Sequence, residues 1–158
     1  MITQQELHSR MTYDAVTGVA TWLTGTKWKG RRVGTRNQSG YTQVRIDGRS
    51  YQLHRLIWLW MTGEWPALQV DHRNGIRDDN RWENLRLATH SENQRNKELD
   101  ARNTSGQTGV CRPAGRTKWQ VYINEGGRRK YLGSYATVEE ANAVAQSARQ
   151  AAYGEFAR

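Results

Sequence analysis

The middle of the chain is a polar stretch, KELDARNTSGQT, which runs from Lys97 to Thr108 and constrains the fold more than any other feature. Its Asn-Thr-Ser-Gly portion has no regular apolar spacing, which is typical of a linker. The 158 residues suffice for two small domains, since independent domains run down to about 50 residues. We therefore predict one domain over 1–97, a linker over 98–107 and a second domain over 108–158.

The first half of the sequence shows helix and hairpin signals. Residues 4–11 predict a short helix, and the VATWL segment at 19–23 predicts a strand. Two strand patterns flank Asp47-Gly48, a dipeptide that suits a tight hairpin turn. A helix is predicted over 53–62, with Gly63 as its stop. The apolar stripe of this helix, which should form much of the first core, comprises Leu53, Leu56, Ile57, Trp60 and Met61.

The second half predicts a small sheet backed by one helix. Its strand candidates are GVCR, KWQVYIN and RKYLGSY, and EGGR provides the turn between the last two. Thr137 and Glu140 form a capping box that starts a helix ending at Gly154. Small side chains along one face of this helix would let it lie close against the three strands.

The charge of the chain favours a polyanionic partner. Lys and Arg outnumber Asp and Glu by 24 to 15, which gives a net charge of +9. Between residues 27 and 55 the only acid is Asp47, and glycines and aromatics alternate with the basic residues, a composition suited to following a phosphate backbone. The basic residues of this interval are Lys27, Lys29, Arg31, Arg32, Arg36, Arg45, Arg49 and Arg55. A solvated basic surface without a ligand is the alternative interpretation.

The cysteine content and the apolar runs exclude several classes. A single cysteine, Cys111, excludes an internal disulfide and a multi-cysteine zinc site. No apolar run approaches the roughly 20 residues that span a bilayer, and the N-terminal sequence lacks the layout of a signal peptide. We therefore expect a cytoplasmic protein with no membrane contact and no structural zinc.

The segment from Val70 to Asn96, VDHRNGIRDDNRWENLRLATHSENQRN, predicts a strand, a polar loop, a second strand and a helix. Thr89 and Glu92 form a capping box, so the helix starts there and Asn93 falls within its first turns. In such a unit the end of the first strand and the helix can converge. Asp71, His72 and Asn93 are then expected to lie close together although they are distant in sequence.

These side chains suit the hydrolysis of a phosphodiester. Asp71 and Asn93 offer oxygen ligands for a hard divalent cation, and the imidazole of His72 can take a proton from water near neutral pH. Asn84 precedes the second strand, where its amide can hold the loop that carries His72. Each of these residues is ordinary in a loop, so only their combination favours a catalytic site.

The motifs V-D-H, D-N-R-x-E-N-L-R and S-E-N-x-x-N resemble HNH endonucleases of the phage and intron-encoded homing type, and the resemblance covers roughly residues 13–97. It implies a ββα-metal unit in which His72 is the general base and Asn84 the middle asparagine of the motif. By the same resemblance, Asp71 and Asn93 are the metal ligands. His54 lies in a matching HRL motif, and we favour a structural role for it.

Residues 106–156 resemble the ethylene-response-factor type of DNA-binding domain, which also occurs fused to HNH nucleases in phage. The resemblance implies a three-stranded antiparallel sheet that enters the major groove and is backed by one helix. Trp119 and Tyr122 are three apart, so one should pack on the helix. Cys111 stands where the family has an arginine. The predicted contacts of this domain with DNA are Arg112, Arg116, Lys118, Trp119, Arg128, Arg129 and Lys130.

Together these patterns predict an α+β protein with a β-hairpin-rich region before the HNH unit and a small second domain. The predicted activity is a metal-dependent DNA endonuclease that uses Mg²⁺, or alternatively Mn²⁺, because one carboxylate and one amide form a sparse oxygen site. We expect a phage-encoded monomer that nicks one strand of double-stranded DNA. The alternatives are cleavage of both strands, a regulator that binds DNA without cutting it, and an RNA ligand.

Overall fold

The computed structural model describes residues 1–25, 27–96 and 99–157. The chain forms two compact units, Met1–Asn93 and Gln94–Arg158. Both units combine helices with small antiparallel sheets, which confirms the predicted mixture of α and β structure. Among the described residues, no helix is both long enough and apolar enough to cross a membrane.

The first unit contains three small antiparallel sheets, three α-helices and one short 3-10 helix within its described residues. Its sheets pair β1 with β2, β3 with β4 and β5, and β6 with β7. In chain order the elements are α1 (Gln4–Arg10), β1 (Met11–Tyr13), β2 (Ala20–Trp22), β3 (Thr35–Arg36), β4 (Thr42–Ile46), β5 (Arg49–Gln52), α2 (Leu53–Thr62), β6 (Gln69–His72), a short 3-10 helix (Trp82–Asn84), β7 (Leu85–Ala88) and α3 (His90–Arg95), whose last residues belong to the second unit.

Local sequence signals explain the first elements. The side chains of Thr3 and Glu6 form a capping box at the start of α1. This helix ends at Arg10, one residue before the predicted end, because Met11 already pairs with Trp22 in the β1–β2 sheet. Asp47 and Gly48 have φ angles of 49° and 77°, so they form the predicted tight turn between β4 and β5.

Helix α2 lies at the centre of the core of the first unit. It ends at Gly63, whose φ of 84° is left-handed, as the sequence predicted. All five residues of the predicted apolar stripe lie in the core or, like the half-buried Trp60 and Met61, pack against it. The prediction was incomplete, because Leu59 and His54 are also buried. The buried face is therefore broader than the stripe and includes an imidazole.

The segment after α2 folds as strand, loop, strand and helix. Strands β6 and β7 are antiparallel, with Asp71 opposite Arg86 and His72 opposite Leu85. The backbone N–H of Thr89 donates to Glu92 Oε2 at 2.7 Å, and the N–H of Glu92 donates to Thr89 Oγ1 at 3.3 Å. This capping box starts α3 at the predicted position and places Asn93 on the helix.

The second unit is a three-stranded antiparallel sheet packed against a long helix. Its elements are β8 (Val110–Cys111), β9 (Trp119–Glu125), β10 (Arg128–Tyr135) and α4 (Val138–Tyr153), with the strand order β10-β9-β8. Ala141 and Ala145 of α4 are buried against Val110 and Val121 of the sheet. As predicted, small side chains form the contact between helix and sheet.

The predicted linker begins at Glu98, and Lys97 and Glu98 lie outside the described residues. Its described part packs within the second unit: the buried Ser105 hydroxyl donates to the Val110 carbonyl at 2.9 Å, and Asn142 Nδ2 donates to the Ser105 carbonyl at 2.8 Å. The predicted boundaries of the two domains, at residues 97 and 108, and of the linker between them stay predictions.

Candidate active site

His72 is the last residue of β6 and is only 3% exposed. Its ring contacts the edge of His54 from α2, with 5.1 Å between centroids, and lies 6.0 Å from the ring of Tyr41. His72 Nε2 lies 3.2 Å from Oδ1 of the buried Asn80, an oxygen that can only accept. The Nε2 nitrogen therefore carries the hydrogen of the neutral ring, and Nδ1 carries the lone pair that can accept a proton.

Burial keeps both imidazoles of this pair neutral. Desolvation lowers the pKa of His72 below its ordinary value of 6.5, although the hydrogen bond to Asn80 acts in the opposite direction. Desolvation, together with the neighbouring His72, lowers the pKa of His54 to about 3. At neutral pH the structure thus presents His72 in the form that a general base requires.

Asp71, the residue before His72, lies in a buried ion pair. Its Oδ2 accepts from Arg86 Nε at 2.9 Å, and Arg86 Nη2 is also 2.9 Å away. The side chains are 7% and 4% exposed, respectively. Because the two residues face each other across β6 and β7, the sheet register fixes this pair. The guanidinium of Arg86 therefore holds the Asp71 carboxylate, which the sequence analysis predicts to be a metal ligand.

Asn93 reaches β6 from α3. Its Nδ2 donates to Gln69 Oε1 at 2.6 Å, and the amide nitrogen of Gln69 lies 3.4 Å from His90 Nδ1. Gln69 and Asp71 are two apart on β6, so the alternation of side chains along a strand places them on the same face. The fold thus brings Asn93 to the strand and the face that carry Asp71.

The donor set fits a hard divalent cation. Asp71 supplies a carboxylate and Asn93 an amide oxygen, which are the ligand types that Mg²⁺ accepts alongside water and phosphate. Among the described residues there is no group of three or more His, Cys, Asp or Glu side chains that could hold a metal ion. A cation held here would therefore depend on few protein ligands.

Asn84 ties the polar loop between β6 and β7 together. Its Oδ1 accepts from the backbone N–H of Asn74 at 3.0 Å, and its Nδ2 donates to the Asp79 carbonyl at 2.7 Å and to Asn74 Oδ1 at 3.1 Å. Asn74 Nδ2 in turn donates to Asp79 Oδ2, and Arg81 holds the pKa of that carboxyl at about 2. These bonds form a closed polar network beside His72.

Replacing Asn84 with alanine is expected to lower the free energy of unfolding by about 1–3 kcal/mol, because buried loop groups lose their hydrogen-bond partner. Chemical denaturation of the whole protein measures this change. Asn124→Ala, at an exposed position on β9, is the matched control and should change stability little. An Asn84→Ala protein as stable as this control would contradict a loop-holding role.

The sequence analysis assigned no role to two residues that lie in this site. Asn80 bonds His72, and Arg86 bonds Asp71. Both lie within the D-N-R-x-E-N-L-R motif, so a signal was present. The spacing of the motif alone does not show which of its asparagines faces the histidine or that the arginine is buried.

The loop that presents Asn80 is anchored to the first hairpin. The buried hydroxyl of Tyr13 donates to the Asn80 carbonyl at 2.7 Å, and the backbone N–H of Trp82 donates to the Ala15 carbonyl at 3.0 Å. A Cβ added at Gly18 would lie 2.5 Å from the backbone nitrogen of Arg81, so only glycine fits this approach. Residues far apart in sequence therefore position the partner of His72.

The predicted DNA contacts of the first unit form an exposed basic region. Lys27, Lys29, Arg31 and Arg32 lie in the segment between β2 and β3, and Arg45 lies on the exposed side of β4. Each of the five is accessible to a ligand.

The predicted contacts of the second unit differ in their exposure. Trp119 packs with Val121 on the helix side of β9, whereas Tyr122 lies on the outer face beside Tyr131, 5.3 Å between centroids. The guanidinium of Arg129 lies 3.8 Å from the Tyr122 ring centre. The remaining predicted residues, all exposed, are Arg112, Arg116, Lys118, Arg128 and Lys130. Tyr122 is thus better placed than Trp119 for a contact through the outer face.

Comparison with known proteins gives two similarities. Residues 51–95 match a family model described as HNH endonuclease, a segment that contains His54, Asp71, His72, Asn84 and Asn93. The chain is also similar to the HNH homing endonuclease I-HmuI, from a structure titled for DNA binding and cleavage. The identity is 20%, the match covers 78% of this chain and 71% of that chain, and the TM-score is 0.42. No curated protein matches the sequence.

Proposed function

We propose that the chain is a divalent-metal-dependent HNH endonuclease that hydrolyses one phosphodiester bond in double-stranded DNA. The observation that carries this proposal is a buried histidine at the end of β6, hydrogen-bonded to Asn80, within the segment that matches HNH endonucleases. The net charge of +9 supports a polyanionic substrate.

The side chains divide the reaction between them. The imidazole of His72 accepts the proton of the attacking water, and Asn80 orients the ring through its hydrogen bond to Nε2. Asp71 and Asn93 would hold Mg²⁺ or Mn²⁺, which when bound would neutralise charge on the scissile phosphate and stabilise the leaving oxygen. Arg86 orients the Asp71 carboxylate. Asn84 keeps the intervening loop in place through the hydrogen bonds described above.

Both units contribute to holding DNA in this proposal. The exposed basic residues of the first unit neutralise phosphates near the cleavage site. The outer face of the second unit, with Tyr122 and Arg129, enters the major groove in the manner of ethylene-response-factor type domains. Phosphate contacts position the protein and base contacts select the site.

Incubation with supercoiled plasmid tests the activity. Cleavage with Mg²⁺ and none with excess EDTA is the expected result. Tight DNA binding without cleavage under all metal conditions would instead favour a regulator that keeps an HNH scaffold without cutting.

On a plasmid with one target, nicked circles are expected to accumulate before linear product. One set of Asp71, His72 and Asn93 can act on one phosphate at a time, so a bound monomer cuts one strand. Gel electrophoresis over time separates the two products. Prompt linear product whose rate rises with the square of the protein concentration would show instead that two protomers act together.

A further inference from the structure

A cleft of about 550 Å³ lies in the first unit between the β2–β3 segment and strand β4. We call it the Trp28 cleft. Trp22, which is half-buried, provides apolar wall, and Trp28, Arg32 and Arg45 are exposed residues that also line the cleft. It thus combines a flat aromatic surface with guanidinium groups.

Trp28 is held in an exposed position by an ordered turn. The backbone N–H of Gly30 donates to the Trp22 carbonyl at 2.9 Å, and the N–H of Trp22 donates to the Arg31 carbonyl at 3.0 Å. The Trp28 side chain nevertheless remains 52% exposed, with Lys27 Nζ 5.3 Å from the ring centre. The exposed indole lies beside the guanidinium groups of the cleft, so it offers a flat surface on which a planar ligand can stack.

The charge of the cleft selects an anionic ligand. Asp47 is the one acid among the described lining residues, and Arg10 neutralises it at 2.9 Å. Arg32 and Arg45 therefore leave a net positive rim, and Lys27, Lys29 and Arg31 extend it along the neighbouring turn. A nucleic-acid strand whose phosphates bind along this rim would have its bases next to the Trp28 indole.

The cleft is within reach of a strand bound at His72. Tyr41, whose ring contacts His72, directly precedes β4 and is four residues before Arg45. At about 3.3 Å per residue this corresponds to roughly 13 Å, or about four base steps of B-DNA. The same DNA can therefore occupy both places.

We propose that the Trp28 cleft binds an unpaired base of a DNA strand, which stacks on the Trp28 indole while Arg32 and Arg45 hold the adjoining phosphates. This inference rests on the proposed function in that it takes DNA as the ligand. Stacking on an indole requires an open base face, and a paired base inside a duplex has none. The cleft thus selects a strand that is unpaired near the cleavage site.

The test compares a labelled single-stranded DNA 15-mer with an abasic 15-mer of the same backbone, using fluorescence anisotropy in EDTA. Trp28→Ala is expected to weaken binding of the normal oligomer by about 5- to 150-fold, the range found for single stacked bases. Its affinity for the abasic oligomer should stay within about twofold of the wild type. Trp28→Phe keeps a ring and should retain most of the affinity for the normal oligomer.

Lys29→Ala is the matched control from the same turn. It removes a charge but no ring, so it should weaken the binding of both oligomers equally. It should also reduce the slope of log K against log salt by about 0.7. Equal weakening of the two oligomers by Trp28→Ala, or no change in either, would overturn the stacking site while leaving the endonuclease proposal intact. A wild-type protein that binds neither single-stranded nor duplex DNA would overturn both.

Discussion

Replacing His72 with alanine is expected to lower the rate of DNA cleavage by a factor of about 10² to 10⁴, the usual contribution of a positioned general base. In the proposed mechanism the substitution removes the group that accepts the proton of water, whereas the exposed basic residues proposed to hold DNA stay in place. Single-turnover cleavage measures the rate, and anisotropy with labelled duplex measures DNA affinity. The affinity should change little while the rate falls.

His8 offers the matched control for this experiment. It is exposed on α1 and its Nε2 lies 3.1 Å from the Trp60 carbonyl, outside the candidate active site. His8→Ala should cut at nearly the wild-type rate. Wild-type cleavage by His72→Ala would remove His72 from the mechanism, and a parallel loss of DNA binding would show that the substitution damages the fold or the DNA surface.

Replacing Arg86 with alanine is expected to lower the free energy of unfolding by about 3–5 kcal/mol, as found when one partner of a buried ion pair is removed. The structure gives the reason: Asp71 and Arg86 are both nearly inaccessible and face each other across β6 and β7. The carboxylate stays buried after the substitution and loses its guanidinium. Denaturant titration followed by circular dichroism measures the loss.

Two further variants isolate the cause of this effect. Asp71→Leu combined with Arg86→Met should recover much of the lost stability, because well-packed apolar side chains can replace a buried ion pair. Arg102→Ala removes the 2.9 Å ion pair of Arg102 with Asp100, which is highly exposed, and should change stability little. Equal losses of unfolding free energy in Arg86→Ala and Arg102→Ala would show that the buried Asp71–Arg86 pair stabilises the protein no more than an exposed pair does.

Sequence signals that act over a few residues predicted the local structure. Asp47-Gly48 predicted the hairpin turn, and Gly63 predicted the end of α2. Thr89 and Glu92 predicted the start of α3. Each of these depends on backbone preferences or on side chains within one helical turn. The alternation of side chains on a strand likewise separated Trp119 from Tyr122 on β9.

The surroundings of the candidate site could not be predicted in the same way. His72 contacts Tyr41, His54 and Asn80, which three different parts of the chain supply. The pairing of Asp71 with Arg86 depends on the register of two strands joined by a long polar loop. Motif spacing identified the residues that could react, but their contacts follow from tertiary packing.

The anchoring of the Asn80 loop by Tyr13 limits how the candidate active site can be transferred to other proteins. Residues 51–95 match the endonuclease family, but the contacts that orient His72 extend to Tyr41 and, through Asn80, to Tyr13. A graft of the matched segment alone would leave these supports behind. The smallest transferable module therefore begins no later than Met11, and a chimaera designed around the motif should include the first hairpin, Tyr41 and β4.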